Sequence, residues 1–202
     1  MIDAEPDLDH PDVLFGLVVF EGRYYFGELV HGESVWFKHM QKPEMYSTAL
    51  STRDARAIVN IAAPYPEGLK IIDPCCGIGT VLVEAMSMGI AIEGRDMNKR
   101  VVWGSRINLR HFGYEPQVEI GPIEEAREGY DVAIIDMPYN LFTHISGELQ
   151  QSIITHARRI AKRVVIVTIE SMDDKISQAK LTIKDSAILK KGNFERQVLI
   201  CE

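Results

Sequence analysis

Three apolar strands, each ending in an aspartate, constrain the fold of this chain more than any other feature. LKIID ends at Asp73, IAIEGRD at Asp96 and DVAIID at Asp136, and helical stretches separate the strands. Repeated strand–helix alternation predicts a parallel sheet with helices on both faces. The carboxyl ends of parallel strands meet at one edge of the sheet, so we expect the three carboxylates to lie along that edge. A single acid in this position is commonly a turn cap, whereas three of them favour a ligand site.

Antiparallel hairpins are predicted at both ends of the chain. LFGLVVF and YYFGELV flank the letters E-G-R, which places Gly22 in an N-terminal turn. AKLTIKDSAIL and FERQVLICE are joined by KKGN, which predicts a closing C-terminal hairpin. Between the hairpins, Ser51 with Asp54 predicts a helix cap, and another helix is expected near residues 145–162.

The composition describes an ordinary globular protein. Its 202 residues suffice for one core, and 46% are hydrophobic and 25% charged. A net charge of -7 argues against a surface that binds nucleic acid on all sides, although one basic face is compatible with it. Three cysteines without a C-x-x-C pair favour a reducing cytoplasm and give no support for a metal site. No signal peptide and no membrane-spanning run are predicted.

The turn after the first aspartate, DPCCGIGT at residues 73–80, points to a particular kind of ligand. Gly77 and Gly79 permit a tight strand-to-helix turn and let a ligand approach bare backbone. A dinucleotide site would carry a third glycine, and Asp73 would repel a diphosphate. An acid beside a glycine turn instead suits an ammonium or sulfonium group, while Asp96 is placed for ribose hydroxyls. The combination favours S-adenosylmethionine over NAD.

At these motifs the chain resembles the class I S-adenosylmethionine-dependent methyltransferases. DPCCGIGT, EGRD and DMPY look like their first, second and fourth motifs. The resemblance is closest to RNA methylases that modify guanine exocyclic amines, especially the tRNA guanine-N2 methyltransferases usually fused to a THUMP domain, here without one. It covers roughly residues 40–200 and includes Thr80, Glu84, Asn108 and Gly113.

The resemblance implies an α/β, Rossmann-like fold. Its seven-stranded sheet is mostly parallel with an antiparallel C-terminal strand, and an N-terminal β-hairpin is added. We expect an acidic tail over 1–12, a hairpin and linker extension over 13–50, and the methyltransferase domain over 51–202. By position, the residues implied for the cofactor are Asp73, Cys75, Gly77, Gly79, Thr80, Asp96, Met97 and Asp136.

Two positions depart from the pattern of the family. Related enzymes usually carry a Gly-Asp pair after the third strand, where this chain has Gly121-Pro122, so the adenine contact is lost or comes from Glu124 or Glu125. The fourth motif is usually D-P-P-Y, and Met137 here replaces the first proline. A residue that acts through its backbone carbonyl can be replaced in this way, although the fixed φ of proline is lost.

The fourth motif predicts how a base amine is held. Asp136 accepts one amine N–H and the backbone carbonyl of Met137 accepts the other, which leaves the nitrogen lone pair free to face the methyl group. Pro138 fixes the turn and Tyr139 stacks on the base, as in pockets for extruded bases. Further polar and stacking contacts are expected from Asn140 and Phe142.

Other acceptors and another class of protein stay open at this point. Adenine in DNA or RNA and the side-chain amide of a protein glutamine present the same planar NH₂ group. A non-catalytic partner subunit with a methyltransferase fold is the alternative from a different class. For the leading prediction, an enzyme acting on tRNA, RNA affinity would come from the N-terminal hairpin, with Tyr24, Tyr25 and Phe26, from a partner chain or from a homodimer.

Overall fold

The computed structural model describes residues 5–30, 32–47, 49–138, 146–191 and 194–202. The chain forms two compact units, Met1–Ser34 and Val35–Glu202. The first unit contains strands β1 (Phe15–Phe20) and β2 (Arg23–Glu28), which pair antiparallel. Positive φ angles at Glu21 and Gly22 make the tight turn between them, which confirms the predicted hairpin. The division into three regions at residues 12 and 50 stays a prediction.

The second unit is built on one seven-stranded sheet, whose strand order is β5-β4-β3-β6-β7-β9-β8. Strand β9 pairs antiparallel with β7 and β8, and the other neighbours are parallel, as predicted from the sequence. The bounds of its strands are β3 Ile71–Asp73, β4 Ile92–Asp96, β5 Val118–Ile120, β6 Tyr130–Asp136, β7 Ala161–Thr168, β8 Ile183–Lys191 and β9 Phe194–Cys201.

Helices cover both faces of this sheet and divide the core into two layers. Consecutive strand residues point to opposite faces, so Ile71 packs in the layer of α2, α3 and α4, and Ile72 packs in the layer of α5 and α6. The helix bounds are α1 Val35–Lys38, α2 Thr52–Ala62, α3 Thr80–Ser87, α4 Lys99–His111, α5 Gly147–Ile160 and α6 Asp173–Gln178, with 3₁₀ helices at His39–Gln41 and Ile123–Glu125.

Helix ends account for most of the differences from the sequence prediction. The helix expected near 145–162 ends at Ile160, because Ala161 already has extended dihedrals and begins β7. Residue 145 lies outside the described residues. Helices α1 and α6 and the two 3₁₀ helices were not predicted, since segments of three to six residues are too short to show a helical period.

Gly94 allows α3 to approach the sheet closely. A Cβ atom at this position of β4 would lie 2.5 Å from Leu82 Cδ1 and 3.2 Å from Cys76 Sγ. In a dinucleotide turn the third glycine permits this close helix–strand packing. Here a glycine in β4 provides the close approach between this strand and α3.

We therefore expect Gly94→Ala to lower the free energy of unfolding by about 1–3 kcal/mol through overpacking, measured by urea denaturation. Gly147→Ala is the matched control, because its Cβ would meet only Lys175 Cε, at 4.0 Å. If Leu82→Val in the same chain reduces the loss of stability caused by Gly94→Ala, that loss is due to the contact between residues 82 and 94. Equal stability of Gly94→Ala and the wild type would contradict it.

Candidate active site

The three predicted acids end adjacent strands of the sheet, in the spatial order Asp96, Asp73 and Asp136. Burial raises the pKa of Asp73 well above its usual range, and the charges of Asp136 and Asp96 raise it further. Burial also raises the pKa of Asp96. The carboxylates thus share one partly desolvated edge of the sheet, as the strand pattern predicts.

The glycine turn is held in place by two of these acids. Asp73 Oδ1 accepts a hydrogen bond from the Cys75 backbone N–H at 3.2 Å, and Asp96 Oδ2 accepts one from Gly77 at 3.0 Å. Gly77 has a φ of 52°, and apart from its chain neighbours no atom of the described residues lies within 4 Å of where its Cβ would be. Gly79, at φ 79°, begins α3 and would place a Cβ 2.4 Å from Ser105 Oγ. The turn therefore exposes open backbone at Gly77 and is tightly packed at Gly79.

Asp136 carries an unsatisfied acceptor at the end of β6. Its Oδ1 atom is buried and has no hydrogen-bond partner among the described residues. Burial raises the pKa of Asp136 to about 7, while the charge of Arg196 acts in the opposite direction. A buried acceptor without a partner is unfavourable in the protein alone and is satisfied when a ligand donates an N–H to it.

The rest of the fourth motif is only partly described. The Met137 side chain is buried in the core, and its backbone N–H donates to Val167 O at 2.9 Å. Pro138 is half-buried. Tyr139, Asn140 and Phe142 lie outside the described residues. The apolar side chain of Met137 thus anchors the segment, in a position where the family pattern has proline.

The remaining predicted cofactor residues surround the turn. Thr80 is buried at the first position of α3, and its Oγ1 atom has no hydrogen-bond partner within the described chain. The Cys75 thiol is half-buried, and burial together with the nearby carboxylates raises its pKa, so it is neutral and a poor nucleophile. Met97, directly after β4, is 68% exposed and offers an apolar surface beside Asp96.

The two glutamates considered as substitutes at the third strand end both contact neighbouring residues. Arg95 Nη2 donates to Glu125 at 3.1 Å, and Arg95 Nε donates to the Pro122 carbonyl at 2.9 Å. Glu124 accepts from Ser152 Oγ at 2.7 Å. These contacts hold the segment that follows β5, and an adenine contact from either glutamate stays a prediction.

The sequence did not predict the contacts of the buried residues that support the site from within the core. Glu84 is fully buried in α3, where its carboxylate lies 2.7 Å from His39 Nδ1 and 3.1 Å from Arg56 Nη1. The buried Asn108 donates to Glu44 O and Ile78 O, both at 3.0 Å, and so ties the linker to the glycine turn. Both residues belong to the motifs that carry the family resemblance, but partners 28 to 64 residues away are not visible in a linear pattern.

Among the described residues, no helix has the length and apolar character needed to span a membrane. Likewise, they contain no group of three or more histidine, cysteine, aspartate or glutamate side chains that could hold a metal ion.

Solved structures define the class of this fold. The chain superimposes on TrmN from Thermus thermophilus with a TM-score of 0.67 and 17% identity, over 97% of this chain and 61% of that one. Magnesium protoporphyrin IX methyltransferase from Synechocystis PCC 6803, with bound SAM, gives a TM-score of 0.62 and 14% identity, over 83% and 91%. The fold is that of the class I methyltransferases, as the motifs predict.

Sequence comparison then gives the family. The UPF0020 model, an RMKL-like methyltransferase domain, matches residues 40–184, and the chain belongs to this family. Among curated relatives, the tRNA (guanine(10)-N2)-dimethyltransferase of Methanothermobacter thermautotrophicus is 33% identical over 116 residues, which are 56% of this chain and 34% of that protein. The chain spans between 32% and 46% of the length of three such relatives.

Proposed function

We propose that this chain is an S-adenosylmethionine-dependent methyltransferase that acts on the exocyclic amine of a base in RNA, with guanine in tRNA as the acceptor. The observation that carries the proposal is the unsatisfied Asp136 Oδ1 atom, buried at the end of β6 beside the glycine turn. Membership of a methyltransferase-domain family and relatives named tRNA (guanine(10)-N2)-dimethyltransferase support it.

The residues around the turn fit S-adenosylmethionine. Open backbone at Gly77 leaves room for a ligand, and the acids at Asp73 and Asp96 suit its ammonium group and ribose hydroxyls. Thr80 Oγ1 offers a buried hydroxyl, and the exposed Met97 side chain offers a surface for adenine. When bound, the cofactor supplies an electrophilic methyl group. The neutral Cys75 thiol beside it does not compete as a nucleophile.

The chain's own contribution is to position an amine that is a poor nucleophile. An aromatic amine delocalises its lone pair into the ring. Ionised Asp136 accepts one N–H and the Met137 carbonyl accepts the second, which favours a pyramidal nitrogen. With a pKa of about 7, Asp136 is ionised in a substantial fraction of molecules at neutral pH and can hold the proton that the amine releases. In this proposal Pro138 fixes the turn, Tyr139 stacks on the base, and Asn140 and Phe142 add further contacts.

RNA capture and cellular location complete the proposal. Tyr24, Tyr25 and Phe26 of the N-terminal hairpin are each more than half exposed and are available to contact RNA. A partner chain or a second copy could supply the same affinity. We place the protein in the cytoplasm, where tRNA is found and where its three free cysteines stay reduced.

Transfer of labelled methyl from S-adenosylmethionine to total tRNA, rRNA, DNA and protein tests the function. We expect incorporation into tRNA, with N2-methylated guanosine found by nucleoside analysis. Incorporation only into DNA adenine or protein glutamine would contradict the RNA proposal. If calorimetry shows that the cofactor binds but no methyl group is transferred, the chain is a non-catalytic partner subunit. If neither the wild type nor Asp73→Ala binds the cofactor, every proposed enzymatic function is contradicted.

A further inference from the structure

A cavity of about 460 Å³ lies beside the beginning of α2. Its walls come from α1, the 3₁₀ helix after it, the loop that leads to α2, the first turn of α2, and Lys190 of β8. Its described lining contains no residue of the glycine turn and none of the three strand-end acids. The cavity therefore shares no described lining residue with the place where the cofactor is proposed to bind.

The cavity lies at the same edge of the sheet as Asp136. Asp136 is opposite Val167 in β7, and Val167 is opposite Val198 in β9, so β9 begins where β6 and β7 end. Lys190 forms an ion pair with Glu195 at 2.7 Å, next to the residue whose charge acts on Asp136. Lys190, and with it the cavity, therefore lies at the sheet edge where Asp136 ends β6.

The lining of the cavity is suited to an anion. Lys42 is only 7% exposed, and no hydrogen bond or ion pair joins its ammonium group to any described residue. Burial lowers the pKa of Lys42, and the more distant Glu84 opposes that shift. Arg53 adds an exposed cation, and Lys190 adds a second one that is already paired with Glu195. Asp54 is the one carboxylate in the described lining. The beginning of an eleven-residue helix adds partial positive charge.

The same lining also offers flat apolar surface. Tyr46 is 55% exposed, Trp36 is half-buried, and Met45 is largely exposed. Aromatic side chains next to cations are the combination by which proteins hold single-stranded nucleic acid, with bases stacked and phosphates paired. The volume is within the range of pockets that hold small molecules.

We propose that this cavity binds one nucleotide of the RNA strand near the target base, with its phosphate held by Lys42 and Arg53 and its base stacked on Tyr46. The inference rests on the proposed function, because it takes RNA to be the substrate. The carboxylate of the cofactor is the competing anion, and the experiment distinguishes the two.

The test measures binding of a fluorescein-labelled, single-stranded oligoribonucleotide of twelve residues to the full chain between 50 and 200 mM KCl. We expect Tyr46→Ala and Arg53→Ala each to weaken binding on the order of tenfold. Arg53→Ala should also reduce the slope of log affinity against log salt by about 0.7, the value for one phosphate contact, whereas Tyr46→Ala leaves that slope unchanged. Both positions are exposed or half-exposed, so folding of the variants is expected to persist.

Two exposed residues at the opposite edge of the sheet serve as matched controls, Tyr65→Ala and Lys162→Ala, and should leave RNA affinity unchanged. If the wild type binds the oligonucleotide and the cavity variants bind it equally well, the inference is wrong while the proposed function stands. If Arg53→Ala weakens only S-adenosylmethionine binding in calorimetry, the cavity holds the cofactor and the inference is also wrong. Failure of the wild type to bind or methylate any RNA would instead contradict the proposed function.

Discussion

Asp136→Asn is expected to reduce methyl transfer by about 10³-fold, with the dissociation constant of S-adenosylmethionine within about threefold of the wild type. The amide is nearly the same size as the carboxylate, but it lacks the negative charge that polarises the amine and cannot hold its proton. Transfer is measured under single-turnover conditions with labelled cofactor, and cofactor affinity by calorimetry. Transfer at a rate near that of the wild type would show that another group positions the amine.

The same substitution should make the folded protein more stable at alkaline pH. Burial raises the pKa of Asp136 in the folded state to about 7, whereas the unfolded chain has a value near 3.8. Ionising the buried group therefore destabilises the folded state relative to the unfolded state. This destabilisation grows as pH rises from about 4 to about 7 and is constant at higher pH. Asp136→Asn removes this cost, so we expect its free energy of unfolding to exceed that of the wild type by on the order of 2–4 kcal/mol at pH 8 and to match it at pH 4.

Asp131→Asn is the control, because it is expected to change the stability at pH 8 in the opposite direction. The pKa of Asp131 is lowered by its hydrogen bonds to Lys162 and to the Lys70 backbone, so its charge favours the folded state at pH 8. Its replacement should therefore lower stability at pH 8, and the difference should disappear on acidification. Urea denaturation of the three proteins at pH 4, 6 and 8 makes the comparison. A loss of stability in Asp136→Asn at pH 8 would contradict the assignment of Asp136 as a buried acid whose ionisation is unfavourable in the folded state.

The fold and one edge of the site could be predicted because local patterns determine them. Strand–helix alternation requires parallel pairing, and parallel pairing alone brings Asp73, Asp96 and Asp136 to one edge. The antiparallel β9 follows from the short K-K-G-N connection, which is too short for a crossover. These inferences do not depend on knowing which side chains contact each other.

The supporting residues could not be predicted, because their contacts depend on register and on packing across the fold. The charge of Arg196 acts on Asp136 because β9 lies next to β7, which pairs with β6. Gly94 provides the close packing expected of a third glycine in the turn, but from a different element. Lys42 looks like a solvated surface charge in the sequence and is nearly buried in the structure.

Glu84→Ala is expected to be the most destabilising substitution in the second unit, with a loss of about 3–5 kcal/mol in the free energy of unfolding. The Glu84 carboxylate is fully buried. It accepts a hydrogen bond from Arg56 and is hydrogen-bonded to His39 Nδ1. Its removal leaves the partly buried Arg56 guanidinium without the opposite charge that compensates its desolvation. Urea denaturation followed by circular dichroism gives the free energy of unfolding.

Glu128→Ala is the matched control, because Glu128 also pairs with an arginine, Arg159 at 3.2 Å, but on the exposed surface. Exposed ion pairs contribute little, so its loss should be less than about 1 kcal/mol. Replacement of both Glu84 and Arg56 by methionine should recover part of the stability lost in Glu84→Ala, since no buried charge of that pair remains. If Glu84→Ala costs no more than Glu128→Ala, burial of the carboxylate is not what holds the linker segment against α3.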